Sequence, residues 1–574
     1  MKKYRFLKVS VAVILITAML SLTPLSVLGS SLQLTFNTKT SVSLRSVCNS
    51  TVYDEPIEVC LYLEDISEEV VEPAFKDKQV TQLNKLISNS EVSTFAMSSN
   101  ELQENITKSR KIYNELYKQH NSQLASKLSI SQDNIIYESR YSPLLIVSLT
   151  ESEIFNLALS DNVEYIDYFT REIEPCSVTL DANDILAMQI CRINEAKSTF
   201  NVDGSGVKIG IADMGVPSQE ELEAASIEYI PENSYGTYAG DHPIHCIKII
   251  NNVAPGAELF FAGGNVAGGV VECVEWLLDQ ESMIISISMS VGAENNYTTY
   301  SKWYDHVSYQ HFAMIVAASG NREDGEAIGC KDLQMAYNVI TVGTLNCNNS
   351  LSYTDDILGI AQYVPTNIGP FKPDISGSYG DTSSSTALVA GSIALLLETD
   401  TSLRMCSETI KALLAASVNQ ASPHKYCTSD RTEARASYMQ VGSGLLDVYR
   451  FLYNGTNEHY HNNTISNSTV QDVVSIAANC NVRIAFAYVQ PVTVTTADHS
   501  FITSAVQGEL VNYAIYVMKQ GETTPIVYSN TTNNLEIVEF NSGTGGYFTI
   551  RIVPVSGTTN TVFYSVASNV EPAS

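Results

Sequence analysis

Five short runs of apolar residues, separated by segments with helical spacing, limit the fold of the central part of this chain. These runs are the predicted strands 207–211, 257–262, 283–289, 313–318 and 338–342. Because their apolar character is continuous rather than alternating, both faces of each strand must be covered. Such strands alternating with helices predict an α/β domain, a parallel sheet with helices on both faces. Ligands in sheets of this kind bind at the carboxyl ends of the strands.

Four polar residues with complementary chemistry lie along the same region. Asp213 ends the first apolar run, and Asn321 closes the segment Ala-Ala-Ser-Gly-Asn just after the fourth. His242 lies between them, and Ser383 opens a helical segment rich in small residues. An acid, a base, an amide donor and a hydroxyl are the groups needed for attack on an acyl carbon. Taken alone, this segment would favour a helix N-cap as the role of the serine.

The order Asp, His, Ser and the segments around these residues resemble the subtilisin-like serine peptidases. The resemblance is carried by Ile-Ala-Asp-Met-Gly at Asp213, by Ala-Ala-Ser-Gly-Asn at Asn321 and by Val-Ala-Gly after Ser383. It implies that Ser383 is the nucleophile and His242 the general base. It also implies that Asp213 orients the imidazole and that Asn321 donates to the oxyanion.

Two segments depart from the family's pattern. The family usually has Gly-Thr-Ser-x-Ala-x-Pro around the nucleophile, whereas this chain has Asp381, Ser385 and Ala387 at the three flanking positions. A carboxylate at 381 would disfavour a negative oxyanion nearby. The family's His-Gly-Thr-His is His242-Pro-Ile-His245 here, so His245 is an alternative base. The pair lacks the glutamate of a zinc-binding His-Glu-x-x-His helix.

The segment 288–293, Ser-Met-Ser-Val-Gly-Ala, resembles the family segment that pairs with an extended peptide as an added strand. The resemblance implies a protein or peptide substrate. It also implies that the first specificity pocket is bordered by Ser290, Val291, Gly292, Ser319 and Gly320.

The N-terminal part of the chain predicts export and a zymogen. Residues 1–29 combine a basic start, a short apolar stretch and a small-residue end, which predicts a secretory signal peptide and a secreted protein. Residues 30–175 end in a strand, helix, strand pattern with a capping box at Thr150, and this pattern resembles the inhibitory subtilisin propeptide. The propeptide would then be a second binding partner. A merely structural N-terminal domain is the alternative.

Composition divides the remainder of the chain into three parts. Residues 176–453 form the predicted subtilisin-like peptidase domain. Residues 454–469, rich in Asn, Thr, His and Ser, read as a linker. Residues 470–574 alternate apolar and polar side chains between turn residues, which predicts an all-β sandwich as an accessory domain.

The net charge of −29 argues against nucleic-acid binding, because phosphates would be repelled. No segment after the signal is apolar enough to predict a membrane span. The chemistry requires no cofactor. Surface carboxylates are compatible with structural calcium, but no dense Asp-x-Asp-x-Asp-Gly loop identifies its ligands, so no metal residue is assigned. A non-catalytic binding or adhesion protein on a peptidase scaffold is the second hypothesis, because the His and Ser segments are altered.

Overall fold

The structure is a computed structural model. It describes residues 35–50, 55–77, 80, 81, 83, 99–169, 174, 175, 183–215, 217, 222, 228, 229, 241–263, 268–291, 297, 299–322, 329–331, 333–364, 370–419, 438–492, 510–556 and 562–572. The predicted signal peptide lies outside these residues. Among the residues that are described, no helix is both long and apolar enough to cross a membrane.

Contacts divide the chain into two compact units. The first comprises residues up to 65 together with 120–138 and 143–169, and the second comprises 66–119, 139–142 and all residues from 170 onward. The predicted N-terminal domain 30–175 therefore does not coincide with one unit. The reason is visible at 139–142, where the Ser139 hydroxyl donates to Glu275 (2.5 Å) and the Trp303 indole donates to Ser142 (3.1 Å).

The first unit contains a four-stranded antiparallel sheet with the order β2-β3-β1-β4. Its strands are β1 (Ile57–Leu63), β2 (Ile135–Glu138), β3 (Leu144–Leu149) and β4 (Val163–Tyr168). The helices of this part of the chain are α1 (Val42–Ser50), α2 (Glu68–Ala74), α3 (Ser99–Lys127) and α4 (Glu151–Ala158). The predicted capping box is present, since Thr150 accepts from the Glu153 amide and the Glu153 carboxylate accepts from the Thr150 amide.

The second unit contains the predicted α/β domain, whose main sheet is mixed. Its order is β13-β12-β11-β9-β6-β8-β7, with β14 beside β12. The strands are β6 (Lys208–Asp213), β7 (Glu228–Tyr229), β8 (Glu258–Gly263), β9 (Ile284–Ile287), β11 (Ile315–Ala318), β12 (Ile340–Asn346), β13 (Ile357–Leu358) and β14 (Ile375–Gly377). A further pair joins β5 (Glu174–Pro175) to β10 (Met289–Ser290).

All five apolar runs of the sequence form strands of this unit, and the pairs among β6, β7, β8, β9, β11, β12 and β14 are parallel. The expectation of a purely parallel sheet is wrong at one edge, where the two-residue strand β13 pairs antiparallel with β12. Its side chains are exposed or half-buried, so it lacks the apolar signal of the buried strands.

The helices that accompany this sheet are α5 (Asn183–Ile190), α6 (Ile193–Phe200), α7 (Asp241–Val253), α8 (Gly269–Asp279), α9 (Thr299–His311), α10 (Thr382–Thr399), α11 (Ser407–Ala416) and α12 (Val448–Thr456). All of these helices except α8 and α9 contribute side chains to one apolar core. Between α7 and α10 the backbones approach closely at Gly391. A methyl group there would lie 2.8 Å from the Val253 Cβ, so a larger residue would separate the two helices.

The C-terminal region consists of two four-stranded antiparallel sheets, in the orders β15-β22-β17-β20 and β16-β21-β18-β19. The strands are β15 (Tyr460–Ile465), β16 (Val470–Ile476), β17 (Cys480–Tyr488), β18 (Asn512–Lys519), β19 (Val527–Ser529), β20 (Leu535–Asn541), β21 (Gly546–Ser556) and β22 (Val562–Pro572). An apolar core that includes Ile484, Phe486, Ile515 and Ile550 fills the space between the sheets.

The prediction of a linker over 454–469 is wrong. Helix α12 continues to Thr456, and β15 pairs with β22 along its whole length. Most of the polar side chains of β15 point to solvent, as expected for an edge strand. The strand therefore has the polar composition that is typical of a linker. Its backbone hydrogen bonds do not depend on the identity of these side chains.

One sheet of the C-terminal region packs directly against the core of the α/β domain. Ala485 and Ala487 on β17 belong to the same apolar cluster as the helices of that domain. Arg483, on the same face of β17, is buried; it donates to the Ala415 carbonyl (2.7 Å) and to the Ser443 carbonyl (2.7 Å), and it pairs with Glu539. The C-terminal sheets are therefore part of the second compact unit.

Replacing Arg483 with Met should destabilise this unit strongly. The change leaves two carbonyls and the Glu539 carboxylate without their donor, which costs about 3–5 kcal/mol for a buried charged partner. The measurement is the urea midpoint of unfolding. Lys519→Met is the control. Lys519 is half-buried at the end of β18, in the other C-terminal sheet, so this change should alter the free energy of unfolding by about 0.5 kcal/mol or less. Equal midpoints for the two variants would show that Arg483 does not anchor the sheet.

Candidate active site

The carboxyl ends of two parallel strands of the main sheet, which flank β9, bring the predicted site residues together. Asp213 is the last residue of β6, and Asn321 follows the end of β11 by three residues. His242 lies in the first turn of α7, and Ser383 is the second residue of α10. Strand ends and helix starts meet at the same edge of such a sheet, which is where doubly covered sheets bind ligands.

Asp213 and His242 form a buried pair. The Asp213 side chain is fully buried, and Nδ1 of His242 lies 2.8 Å from its carboxylate oxygens. The amide of Met214 donates to the same carboxylate (2.6 Å). An ionised acceptor at Nδ1 places the ring proton on that nitrogen, so Nε2 has its lone pair available for a proton.

Ser383 is not the N-cap of its helix. That position is held by Asp381, whose side chain accepts from the Ser384 amide (2.8 Å). The Ser383 side chain is fully buried in the first turn of α10. The residue that replaces the family's glycine therefore has a structural role, because it satisfies one of the free amides at the helix start.

Asn321 is oriented by a residue that the sequence analysis did not single out. Its Oδ1 accepts from the backbone amide of Thr382 (3.0 Å) and from the Thr382 hydroxyl (2.9 Å). Because both groups are donors, the side-chain atom of Asn321 that faces them must be the oxygen, and Nδ2 points away from them. Nδ2 is buried and has no hydrogen-bond partner among the described residues. An amide held in this way is suited to donate to a developing negative charge.

His245, the alternative base, has a different environment. Its Nε2 lies 3.0 Å from the hydroxyl of Ser384, and the side chain is buried. Burial, followed by the neighbouring His242 and Lys248 as smaller causes, lowers the pKa of His245 to about 4. The carboxylate of Asp213 pairs with His242 instead. The geometry therefore favours His242 as the base.

The residues predicted to bind substrate lie beside one another. Gly320 has a φ of +96°, and a methyl group on it would lie 2.3 Å from Gln362 Oε1 and 3.4 Å from Ser290 Oγ. Such a position accepts only glycine without rearrangement. Ser319, which precedes Gly320, and Val291, which follows Ser290, are both buried. Gly292 lies outside the described residues.

Gln334 supports the substrate-binding edge and was missed by the sequence analysis. Its side-chain amide donates to the Met289 carbonyl and to the Ser290 hydroxyl, both at 3.2 Å. Its position in a short helical turn before β12 offers no motif, so only the fold shows this contact. Strand β10 also pairs antiparallel with β5, with Ser290 opposite Glu174.

One group of potential metal ligands was found among the described residues. The ligand atoms of Asp213, His242 and Cys246 lie within 4.8 Å of one another. Burial raises the pKa of the Cys246 thiol well above its usual value, with the Asp213 carboxylate as the next cause. The thiol is therefore protonated at neutral pH, and Asp213 and His242 already pair with each other. The set is better suited to acid–base chemistry than to holding a resident metal.

Comparison with known proteins points to a class of protein. Residues 204–440 match the family model of the Subtilase family, and this match supports a serine-type peptidase. A search of curated proteins found no match.

Solved structures of serine proteases resemble the chain at low identity. The epidermin leader peptide processing serine protease from Staphylococcus aureus is 14% identical, with 70% of this chain and 99% of that one covered and a TM-score of 0.44. The serine protease of Aeromonas sobria is 12% identical, with 65% and 89% covered and a TM-score of 0.34. MycP1 from Mycobacterium smegmatis is 16% identical, with 49% and 89% covered and a TM-score of 0.30.

Replacing Asn321 with Ala should lower kcat by about 10²–10³ with little change in KM, because the amide binds charge that exists mainly in the transition state. Thr382→Val removes one of two donors that orient the amide and should cost roughly five- to ten-fold, about 1 kcal/mol. Steady-state kinetics on a peptide substrate measures both. A change confined to KM in the Asn321 variant would make this residue a substrate-positioning group instead.

Proposed function

We propose that this protein is an exported serine endopeptidase, made as a zymogen, that cleaves peptide bonds through Asp213, His242 and Ser383 with Asn321 as oxyanion donor. The observation that carries the proposal is the buried Asp213 carboxylate paired with His242, at the sheet edge that also holds Ser383 and the oriented Asn321 amide. The natural substrate is a protein or peptide bound in extended form along Ser290 and Val291.

The proposed reaction has two halves. Ser383 Oγ attacks the carbonyl carbon of the peptide while His242 Nε2 takes the hydroxyl proton. The carbonyl oxygen becomes negative and receives the Asn321 N–H. When the tetrahedral intermediate collapses, the C–N bond breaks, and His242 returns its proton to the leaving amine. Water then attacks the acyl-enzyme by the same route, and this step releases the acid and restores the Ser383 hydroxyl.

Asp213 remains ionised throughout this proposed cycle. Its buried carboxylate stabilises the His242 imidazolium that forms in each half-reaction, and it keeps the ring in the orientation that presents Nε2. The contact from the Met214 amide fixes the carboxylate itself. The pair thus supplies a base of fixed geometry from side chains of two separate elements, β6 and α7.

A fluorophosphonate probe tests the activated serine without knowledge of the substrate. The wild type should be labelled covalently and irreversibly, and Ser383→Ala should lose both labelling and peptide hydrolysis. Ser392→Ala is the matched control, because this buried serine of the same helix only donates to the Leu388 carbonyl. It should be labelled like the wild type. Full turnover in Ser383→Ala would refute the assignment, and an unlabelled wild type would favour a non-catalytic binding protein.

The zymogen part of the proposal is supported by the pairing of β5 with β10. Glu174 and Pro175 occupy, as an antiparallel strand, the edge that an extended substrate is proposed to use. A chain segment bound in this way blocks the proposed substrate-binding edge. Residues 30 to about 175 are therefore proposed as an inhibitory propeptide.

Maturation should follow from the enzyme's own activity. The wild type should be cut near residue 175, whereas Ser383→Ala should keep the N-terminal segment, as shown by mass and N-terminal sequencing of both proteins. The separately produced segment 30–175 should inhibit the mature enzyme when it is added back. Active enzyme that still carries this segment uncleaved would contradict the zymogen model.

A further inference from the structure

A second polar contact joins the helix of the base to the helix of the nucleophile. His245 lies three residues after His242 on α7, and Ser384 directly follows Ser383 on α10. Nε2 of His245 is 3.0 Å from the Ser384 hydroxyl, and both side chains are buried. Each member of the contact is thus within one helical turn of a residue that is proposed to react.

The direction of this hydrogen bond follows from the second ring nitrogen. Nδ1 of His245 is buried and has no hydrogen-bond partner among the described residues. Because a buried N–H without a partner is rarer and costlier than an unpaired acceptor, the proton of the neutral ring belongs on Nε2. The imidazole N–H then donates to the Ser384 oxygen.

The environment of His245 also keeps it neutral during catalysis. Burial and the neighbouring His242 lower the pKa of His245 to about 4, with Lys248 as a smaller cause. A charged ring at this place would oppose the cation that forms on His242 in each half-reaction. A neutral ring fixes the helices without this repulsion.

Apolar packing alone does not fix the sliding of one helix along another. Helices α7 and α10 approach closely at Gly391 and Val253, toward the far end of α7 from His242. That contact sets how near the helices come, but it has no directional bond. At the catalytic end, the Ser384 amide is held by Asp381 (2.8 Å), and the Ser384 hydroxyl is held by His245.

We propose that His245 and Ser384 are positioning residues that set the separation between Nε2 of His242 and the hydroxyl of Ser383. The proposal rests on the proposed function, since it assigns the supporting contact of that site. Neither residue touches the substrate. Displacement of a reacting group by about 1 Å costs up to 10²-fold in rate, so loss of one such bond should lower kcat about ten-fold.

The test compares Ser384→Ala, His245→Leu and the double variant. Each single change breaks the same bond, so each should lower kcat about ten-fold per active serine, with KM within two-fold of the wild type. The double variant should be no slower than the slower single variant, because the bond is already lost. Fluorophosphonate labelling counts the active sites, so misfolded protein does not enter the rate.

Two further variants separate positioning from general packing. Ser385→Ala removes the neighbouring buried hydroxyl, which donates to Thr344 (2.9 Å) on β12 rather than to α7. It should keep kcat within two-fold of the wild type. His245→Gln retains an N–H donor at a similar reach and should recover most of the activity that His245→Leu loses.

The outcomes distinguish this inference from the function on which it rests. Unchanged kcat in Ser384→Ala, an equal loss in Ser385→Ala, or single effects that multiply in the double variant would overturn the positioning role while the peptidase assignment stands. Failure of the wild type to react with the probe would overturn both.

Discussion

The carboxylate of Asp213 is the constraint on which the arrangement of the site depends. It is fully buried, and a buried charge is stable only when donors replace its lost water. The Met214 amide and the His242 ring supply them, so the end of β6 and the start of α7 must lie against each other. The same two contacts give the imidazole its orientation. The stability of the sheet edge and the geometry of the base therefore have one physical origin.

The sequence predicts the elements whose signals are local and apolar. The five buried runs became strands, and the Thr150 cap formed as its pattern indicates. The elements that were missed lack such signals. Strand β15 exposes half of its side chains, and the separation of 66–119 from the first compact unit depends on contacts between residues distant in the chain. Backbone pairing, and burial by residues distant in the chain, do not produce a periodic pattern of apolar residues in the sequence.

The sequence selects the candidate site residues but not the contacts that support them. Motifs select Asp213, His242, Asn321 and Ser383, because each proposed role needs a particular functional group after a strand or at a helix start. The oxygen acceptors and donors that hold them, such as Thr382 for Asn321 and Ser384 for His245, are short polar residues common on any helix. Only the fold shows which of many serines and threonines faces the site.

Asp381 illustrates how one substitution acts on both stability and chemistry. As an N-cap it satisfies the Ser384 amide, and its negative charge interacts favourably with the positive end of the α10 dipole. The same positive end would stabilise an oxyanion beside Ser383, so the carboxylate offsets part of that field. With a glycine at 381, the full field of the α10 dipole would be available to stabilise an oxyanion, but the Ser384 amide would lose its Asp381 acceptor. This chain has the stabilised helix start. The proposed role of Asn321 as oxyanion donor therefore gains weight, because its amide is held by Thr382 and its Nδ2 has no acceptor among the described residues.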